Sequence, residues 1–213
     1  MRVRAACGYL MVAMSILTVS GCNQNDETAS DMLNIVDVRQ ATSYTCGVSA
    51  SQAVLNHYGT DAREDELAQR FGTTETSGTS PNRIVAGLES FGLVATMQEN
   101  TTLDDLRWNI QQKIPTMVAI QAWLEKYPPQ DWSMEWESGH WIIVIGMDDS
   151  NVYFEDPSIL GSRGWLSHSE FLARWHDYTG EAPCCGVNNK IYTHLSISVK
   201  GAPVERGLYT HID

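Results

Sequence analysis

The chain has 213 residues, with 14 basic against 26 acidic side chains and a formal net charge of −12. So acidic a surface repels phosphate backbones, which excludes nucleic acid as a partner. With 43% hydrophobic residues, the chain beyond its N-terminal segment suits one domain around one core.

Arg2 and Arg4 precede an apolar stretch from Gly8 to Val19, the order of charge then grease that marks a secretory signal peptide. The stretch is too short to span a bilayer comfortably. It ends in Val19, Ser20 and Gly21 before Cys22, which resembles the lipobox of bacterial lipoproteins. The resemblance implies cleavage before Cys22, a diacylglycerol on its sulfur and a third acyl chain on its new amine. Each buried methylene contributes about 0.8 kcal/mol, so two or three chains hold a domain at the membrane surface. The alternatives are an ordinary secreted protein cut nearby and an uncleaved anchor.

Loss of residues 1–21 removes two arginines and no acid, deepening the charge to about −14. Residues 22–33 then read as the lipidated cysteine and a polar, flexible tether, with the domain over 34–213. Asn23 after the lipidated position resembles lipoproteins sent to an outer membrane, which places the protein in the cell envelope, on the periplasmic side if the host is diderm. Of the five cysteines, Cys7 leaves with the signal and Cys22 carries lipid. Cys46, Cys184 and Cys185 offer no spaced disulfide framework. The adjacent pair bridges through a strained ring or reaches other partners, and too few regularly spaced ligands surround it for zinc.

In chain order, Ala50, Ala53, Val54, Leu55 and Tyr58 form a helical stripe over 46–58, with Thr45 as cap and Gly59 as stop. A second helix is expected over 63–71, ended by Gly72, and a loop over 73–79. Pro81 opens a third helix running to Phe91. A strand over 93–97, a helix over 103–112 and a buried strand over 114–122 follow. Residues 123–138, with Trp123, Tyr127, Pro128, Pro129, Trp132 and Trp136, read as a long loop. Its aromatics either grip an extended peptide or pin the loop to the core. Trp141 to Met147 and Val152 to Phe154 predict a hairpin turning at Asp148 to Asn151. A helix over 167–175, an irregular segment over 183–189 and a strand over 191–199 complete the chain. Helices first and antiparallel strands later predict an α+β fold of two lobes.

Three segments converge on one chemistry. Cys46 stands at a helix start, where unpaired backbone amides favour thiolate over thiol. His140 opens a buried strand from which it can face a cleft and act as base and acid. Asp156 follows the hairpin return, which brings it back beside the beginning of the His140 strand, where it can orient the ring. Gln40, six residues before Cys46, is a candidate oxyanion donor together with the Cys46 N–H. Gly47 would let backbone approach the substrate closely. The remaining histidines carry no such pattern. His57 suits the C-terminal dipole of its helix, His168 and His176 flank a helix as surface residues, and His194 and His211 lack partners.

From Gln40 through Cys46-Gly47 to Tyr58-Gly59, the chain resembles the catalytic opening of the bacteriocin-processing, double-glycine leader peptidases, a branch of the papain-like cysteine peptidases. Gly78-Thr79-Ser80, Phe91-Gly92, His140 and Asp156-Pro157 continue the resemblance over roughly residues 36–175. It implies a papain-like fold with an N-terminal helical lobe followed by an antiparallel sheet lobe. It also implies Cys46 as nucleophile, His140 as general base and acid, Asp156 as orienter and Gln40 as oxyanion donor, with no metal or organic cofactor. Thr45 stands where best-known members have Asp, and the export transporter fused to those members has no counterpart here. The expected activity is therefore a membrane-anchored cysteine peptidase acting on a peptide or amide through a thioacyl intermediate. Acyl transfer of the transglutaminase or phytochelatin-synthase type, and a catalytically silent peptide-binding domain, are the other readings.

Overall fold

The computed structural model describes residues 32–124, 131–202 and 204. Cys22, the apolar stretch over 8–19, most of the tether, Tyr127 to Pro129 and His211 lie outside the described residues. Leu33 is already packed into the core, 4% exposed, with its N–H on the Ile145 carbonyl.

The helices begin and end where local chemistry dictates. Helix α1 (Cys46–His57) stops before Gly59 (φ +83) and α2 (Glu64–Phe71) before Gly72 (φ +64), both in the left-handed conformation that glycine adopts without penalty. Helix α3 (Pro81–Glu89) has proline in its first turn. After strand β1 (Val94–Gln98), helix α4 (Leu103–Gln111) is opened by a capping box, in which the Thr102 hydroxyl accepts from the Asp105 N–H and the Asp105 carboxylate accepts from the Thr102 N–H. Strand β2 (Thr116–Gln121) precedes a single 3-10 turn (Trp132–Met134) inside the expected long loop. Strands β3 (Gly139–Met147) and β4 (Asn151–Glu155) form the expected hairpin, followed by β5 (Gly164–Ser167) and helix α5 (His168–Arg174).

The C-terminal region departs from the expectation. The single strand expected over 191–199 is two strands, β7 (Lys190–Thr193) and β8 (Ser196–Lys200), broken at His194, whose φ is +48. Strand β7 pairs instead with β6 (His176–Thr179), too short and polar to show an alternating pattern, while β8 enters the main sheet. That antiparallel sheet has the order β1-β8-β2-β3-β4-β5.

Helices cover both faces of the sheet, which is why β2 is buried throughout and β3 nearly so. Along β3, Trp141, Ile143 and Ile145 pack with Val48, Val54 and Leu55 of α1. Ile142 and Val144 pack on the other face with Leu106 and Ile110 of α4 and Phe171 and Trp175 at α5. Period-two alternation thus feeds two apolar layers from one strand. The fold is α+β, as expected.

Close packing between α2 and α3 depends on Gly87. A Cβ there would lie 2.3 Å from Cε1 of Phe71, which is 2% exposed. Alanine normally favours a helix over glycine by about 1 kcal/mol, yet here overpacking should dominate, at about 1–3 kcal/mol. Gly87→Ala should therefore lower the urea midpoint of unfolding; an unchanged or higher midpoint would contradict this packing.

Candidate active site

Cys46 is the first residue of α1, whose first-turn amides have no intrahelical acceptors. Thr45 occupies the N-cap position but does not cap with its side chain, contrary to expectation. Its buried hydroxyl instead joins Thr42, accepting from the Thr42 N–H (3.2 Å) and sharing a hydrogen bond with the Thr42 hydroxyl (3.0 Å). No side-chain oxygen therefore competes for the amides beside the sulfur.

His140 and Asp156 meet because of the hairpin register. Ile143 pairs with Glu155 and Val144 with Phe154, so continuing that register sets Asp156 opposite Ile142 and diagonal to His140 on the same face. His140 Nε2 and Asp156 Oδ1 are 2.6 Å apart, with side chains 7% and 2% exposed. That leaves the other ring nitrogen, Nδ1, outside the Asp156 bond, and Cys46 is near enough to the imidazole to bear on its protonation. Burial of the ring opposes protonation, but hydrogen bonds to Asp156 and Cys46 and the charges of both outweigh it, raising the His140 pKa to about 10. Burial likewise opposes ionisation of Asp156. The His140 hydrogen bond and charge prevail, with help from Ser158 and Trp123, and hold the carboxyl below its ordinary value.

The remaining bonds to Asp156 come from residues that sequence reasoning did not assign to the site. The Ser158 N–H donates to Oδ1 (2.8 Å) and Trp123 Nε1 donates to Oδ2 (2.9 Å). Asp156 is thus both turn residue and imidazole partner. Trp123, with φ +59 and 56% exposed, is an aromatic of the long loop whose indole N–H reaches the site. Trp136 lines the cavity that holds Cys46, while Trp132 is pinned beneath the Arg174 guanidinium at 3.4 Å. Trp132 is thus pinned to the body of the domain, and Trp136 borders the cavity while packing on His176.

Gln40 lies on the segment leading to α1. Its N–H donates to the Pro157 carbonyl (3.0 Å) and its Oε1 accepts from the Ser158 hydroxyl (3.2 Å), which ties it to the Asp156 turn. Its Nε2 donates to the Thr42 carbonyl (2.7 Å), using one of its two N–H bonds. The same segment is pinned to β4 by Glu155, which is fully buried and accepts from the Val38 N–H (3.2 Å). Burial pushes the Glu155 pKa up to about 7.

Several expectations need correction. Gly47 faces protein rather than open cleft: a Cβ there would lie 3.0 Å from Trp141 and 3.2 Å from Ile84, so its smallness brings α1 close to β3. His176 is not a surface residue; it is 7% exposed, hydrogen-bonded to the Glu135 carbonyl and packed on Trp136. His194 does not lack a partner; its ring stacks on Trp175. His168 is half-buried at the start of α5. His57 bonds the Asn34 carbonyl (3.3 Å), a structural contact. Cys184 and Cys185 bridge each other.

Set against known proteins, residues 16–183 match the model of the peptidase C39 like family. An uncharacterized protein of Methanothermobacter thermautotrophicus is 32% identical over 124 residues, 58% of this chain and 72% of the relative. Among solved structures, the peptidase domain of Streptococcus ComA, a bifunctional ABC transporter in a quorum-sensing pathway, is 20% identical with a TM-score of 0.54, covering 78% of this chain and 97% of that domain. A double-glycine motif protease from an AMS/PCAT transporter, solved with its leader peptide, is 14% identical with a TM-score of 0.55 over 81% of this chain and 94% of that one. A C39-like peptidase of Bacillus anthracis is 13% identical with a TM-score of 0.57 over 81% and 98%. These structures share the fold, and the match over 16–183 shows the family: the chain belongs to the peptidase C39 like family and is a domain of the cysteine peptidase type.

Proposed function

We propose that the protein is a lipid-anchored cysteine peptidase that cleaves a peptide through a Cys46 thioacyl intermediate. The observation that carries this reading is the buried hydrogen bond of His140 to Asp156, with Cys46 at the start of α1 close enough to raise the His140 pKa. The Cys46 sulfur attacks the scissile carbonyl carbon, and the C=O electron pair moves onto oxygen. The oxyanion is met by the Cys46 N–H and by the second Nε2–H of Gln40, the first being held by Thr42. As the C–N bond breaks, the His140 imidazolium gives its Nδ1 proton to the leaving amine. Water then attacks the thioester, His140 takes up its proton, and the acid departs as the sulfur is released. Asp156 stays ionised and keeps the ring aligned, and Trp123 and Ser158 hold Asp156.

A peptide is the favoured substrate because one solved neighbour holds its leader peptide, and because the cavity beside Cys46, about 750 Å³, is lined by hydroxyl, aromatic and acidic residues that can hold a peptide's polar backbone and side chains. Anchoring rests on Arg2, Arg4, the apolar stretch and Cys22. Among the described residues no helix is long and apolar enough to cross a membrane.

Iodoacetamide should alkylate one site in the native protein and leave Cys46→Ala unmodified there, with peptide cleavage lost by at least about three orders of magnitude. Equal labelling of both proteins removes the nucleophile. Because the His140 pKa is raised from 6.5 to about 10, the protonated ring stabilises the fold fully below 6.5, and that contribution is lost as pH rises through 10. Cleavage should show an alkaline limb near pH 10, and Asp156→Asn should move it about one to three pH units lower; an unmoved limb would detach Asp156 from the ring. In a bacterial host, Cys22→Ser should shift the protein from the membrane fraction to the soluble fraction, with loss of labelled-palmitate incorporation. Unchanged fractionation and labelling would remove the anchor.

A further inference from the structure

The cavity that holds Cys46 is lined by three carboxylates, Glu137, Asp177 and Glu181, and by no Lys, Arg or His among the described residues. None of the three forms an ion pair with a described residue. Lys190 and Arg174, on neighbouring elements, are engaged by Glu99 (2.8 Å) and Glu170. Glu137 accepts from the Tyr178 hydroxyl (3.1 Å) and the Cys184 N–H (2.9 Å), and Asp177 Oδ1 accepts from the Tyr178 N–H (2.8 Å) and Gln121 Nε2 (3.5 Å). These neutral donors orient the carboxylates without neutralising them.

Asp177 lies against the strand that carries His140. A Cβ built on Gly139 would lie 2.7 Å from its Oδ1 and 2.8 Å from its Oδ2. The carboxylate therefore rests against the backbone of the residue that precedes His140, and glycine at 139 is what lets it in. The His140 charge reaches Asp177 only weakly, and His140 is already bonded to Asp156. Burial raises the Asp177 pKa to about 7, and the Glu137 charge adds to that effect. Negative charge set into a partly desolvated cleft without a cation is costly, and a ligand that supplies the cation recovers that cost as affinity and selectivity. Tyr178 and Trp136 also line the cavity, and aromatic side chains suit an aliphatic stem and its cationic head.

We infer that the Cys46 cavity selects a Lys or Arg side chain next to the scissile bond, paired with Asp177 and flanked by Glu137 and Glu181. The inference rests on the peptidase reading and names the substrate class for the same site.

The test uses acetyl-Ala-Ala-X chloromethyl ketones with X as Lys, norleucine or Glu, whose acetylated ends leave the X side chain as the only possible cation. The rate of Cys46 modification is followed by mass spectrometry, with iodoacetamide as a control without a side chain. The Lys probe should react roughly tenfold to hundredfold faster than norleucine, with Glu slowest. Asp177→Asn should collapse the Lys-to-norleucine rate ratio, which is read within each protein and so is independent of any change in the reactivity of Cys46 itself. Should Asp177→Asn fail to fold, the Lys advantage in the native protein should shrink with added sodium chloride and in Glu181→Gln. Equal rates for the three probes alongside normal iodoacetamide labelling would overturn the basic-residue preference and leave the peptidase reading standing. A Lys advantage that survives Asp177→Asn would overturn the assignment to Asp177. Failure of every reagent, iodoacetamide included, would overturn both readings.

Discussion

The site hangs on the buried hydrogen bond between His140 and Asp156, 2.6 Å long. Neither side chain could stay charged at this depth alone, since an isolated buried ion costs several kcal/mol. Together, and with the Cys46 thiol on the ring's other side, they favour the imidazolium and the carboxylate. The fold supplies this pair through backbone register: the β3–β4 hairpin returns the chain so that Asp156 reaches His140 diagonally. The Trp123 indole and the Ser158 N–H then give the carboxylate two further hydrogen bonds. The two helical layers that bury β3 remove water from the pair, so the same packing that stabilises the sheet strengthens the electrostatics.

Helix α1 brings the third partner. Its apolar side packs on the odd-numbered residues of β3, and Gly47 keeps it close to Trp141 and Ile84. Packing therefore sets the distance between Cys46 and the strand that carries His140. Thr45 turns its hydroxyl toward Thr42 and leaves the helix start uncapped, which keeps the amide dipole available to an anion there.

Much of this was legible in the sequence because it rests on short-range signals. The α1 stripe, Pro81 in the first turn of α3, Gly72 after α2 and the turn over 148–151 each act within a few residues, and a hairpin converts local turn chemistry into a long-range contact. What was not legible depends on tertiary partners. Strand β6 is four polar residues that become a strand only by pairing with β7. His176 is buried against Trp136 and the half-buried His194 stacks on Trp175, aromatic contacts that no periodicity announces. Gly47 faces a wall made by distant residues, and Trp123 reaches Asp156 from a loop without a repeating pattern. Asp177, on β6, was invisible for the same reason, although it borders Gly139. The one signal available was the count of acids: an excess over bases leaves some carboxylates without cationic partners.

The central claim is that His140 is an imidazolium at neutral pH because Asp156 and Cys46 both hold it. Nitrogen-15 NMR of histidine-labelled protein reads that state directly, with His140→Gln assigning the signal. The account predicts both ring nitrogens of His140 protonated at neutral pH, a titration near pH 10, and a lower titration point in Cys46→Ala. A neutral His140 ring titrating near its ordinary value of 6.5, unchanged in Cys46→Ala, would contradict it.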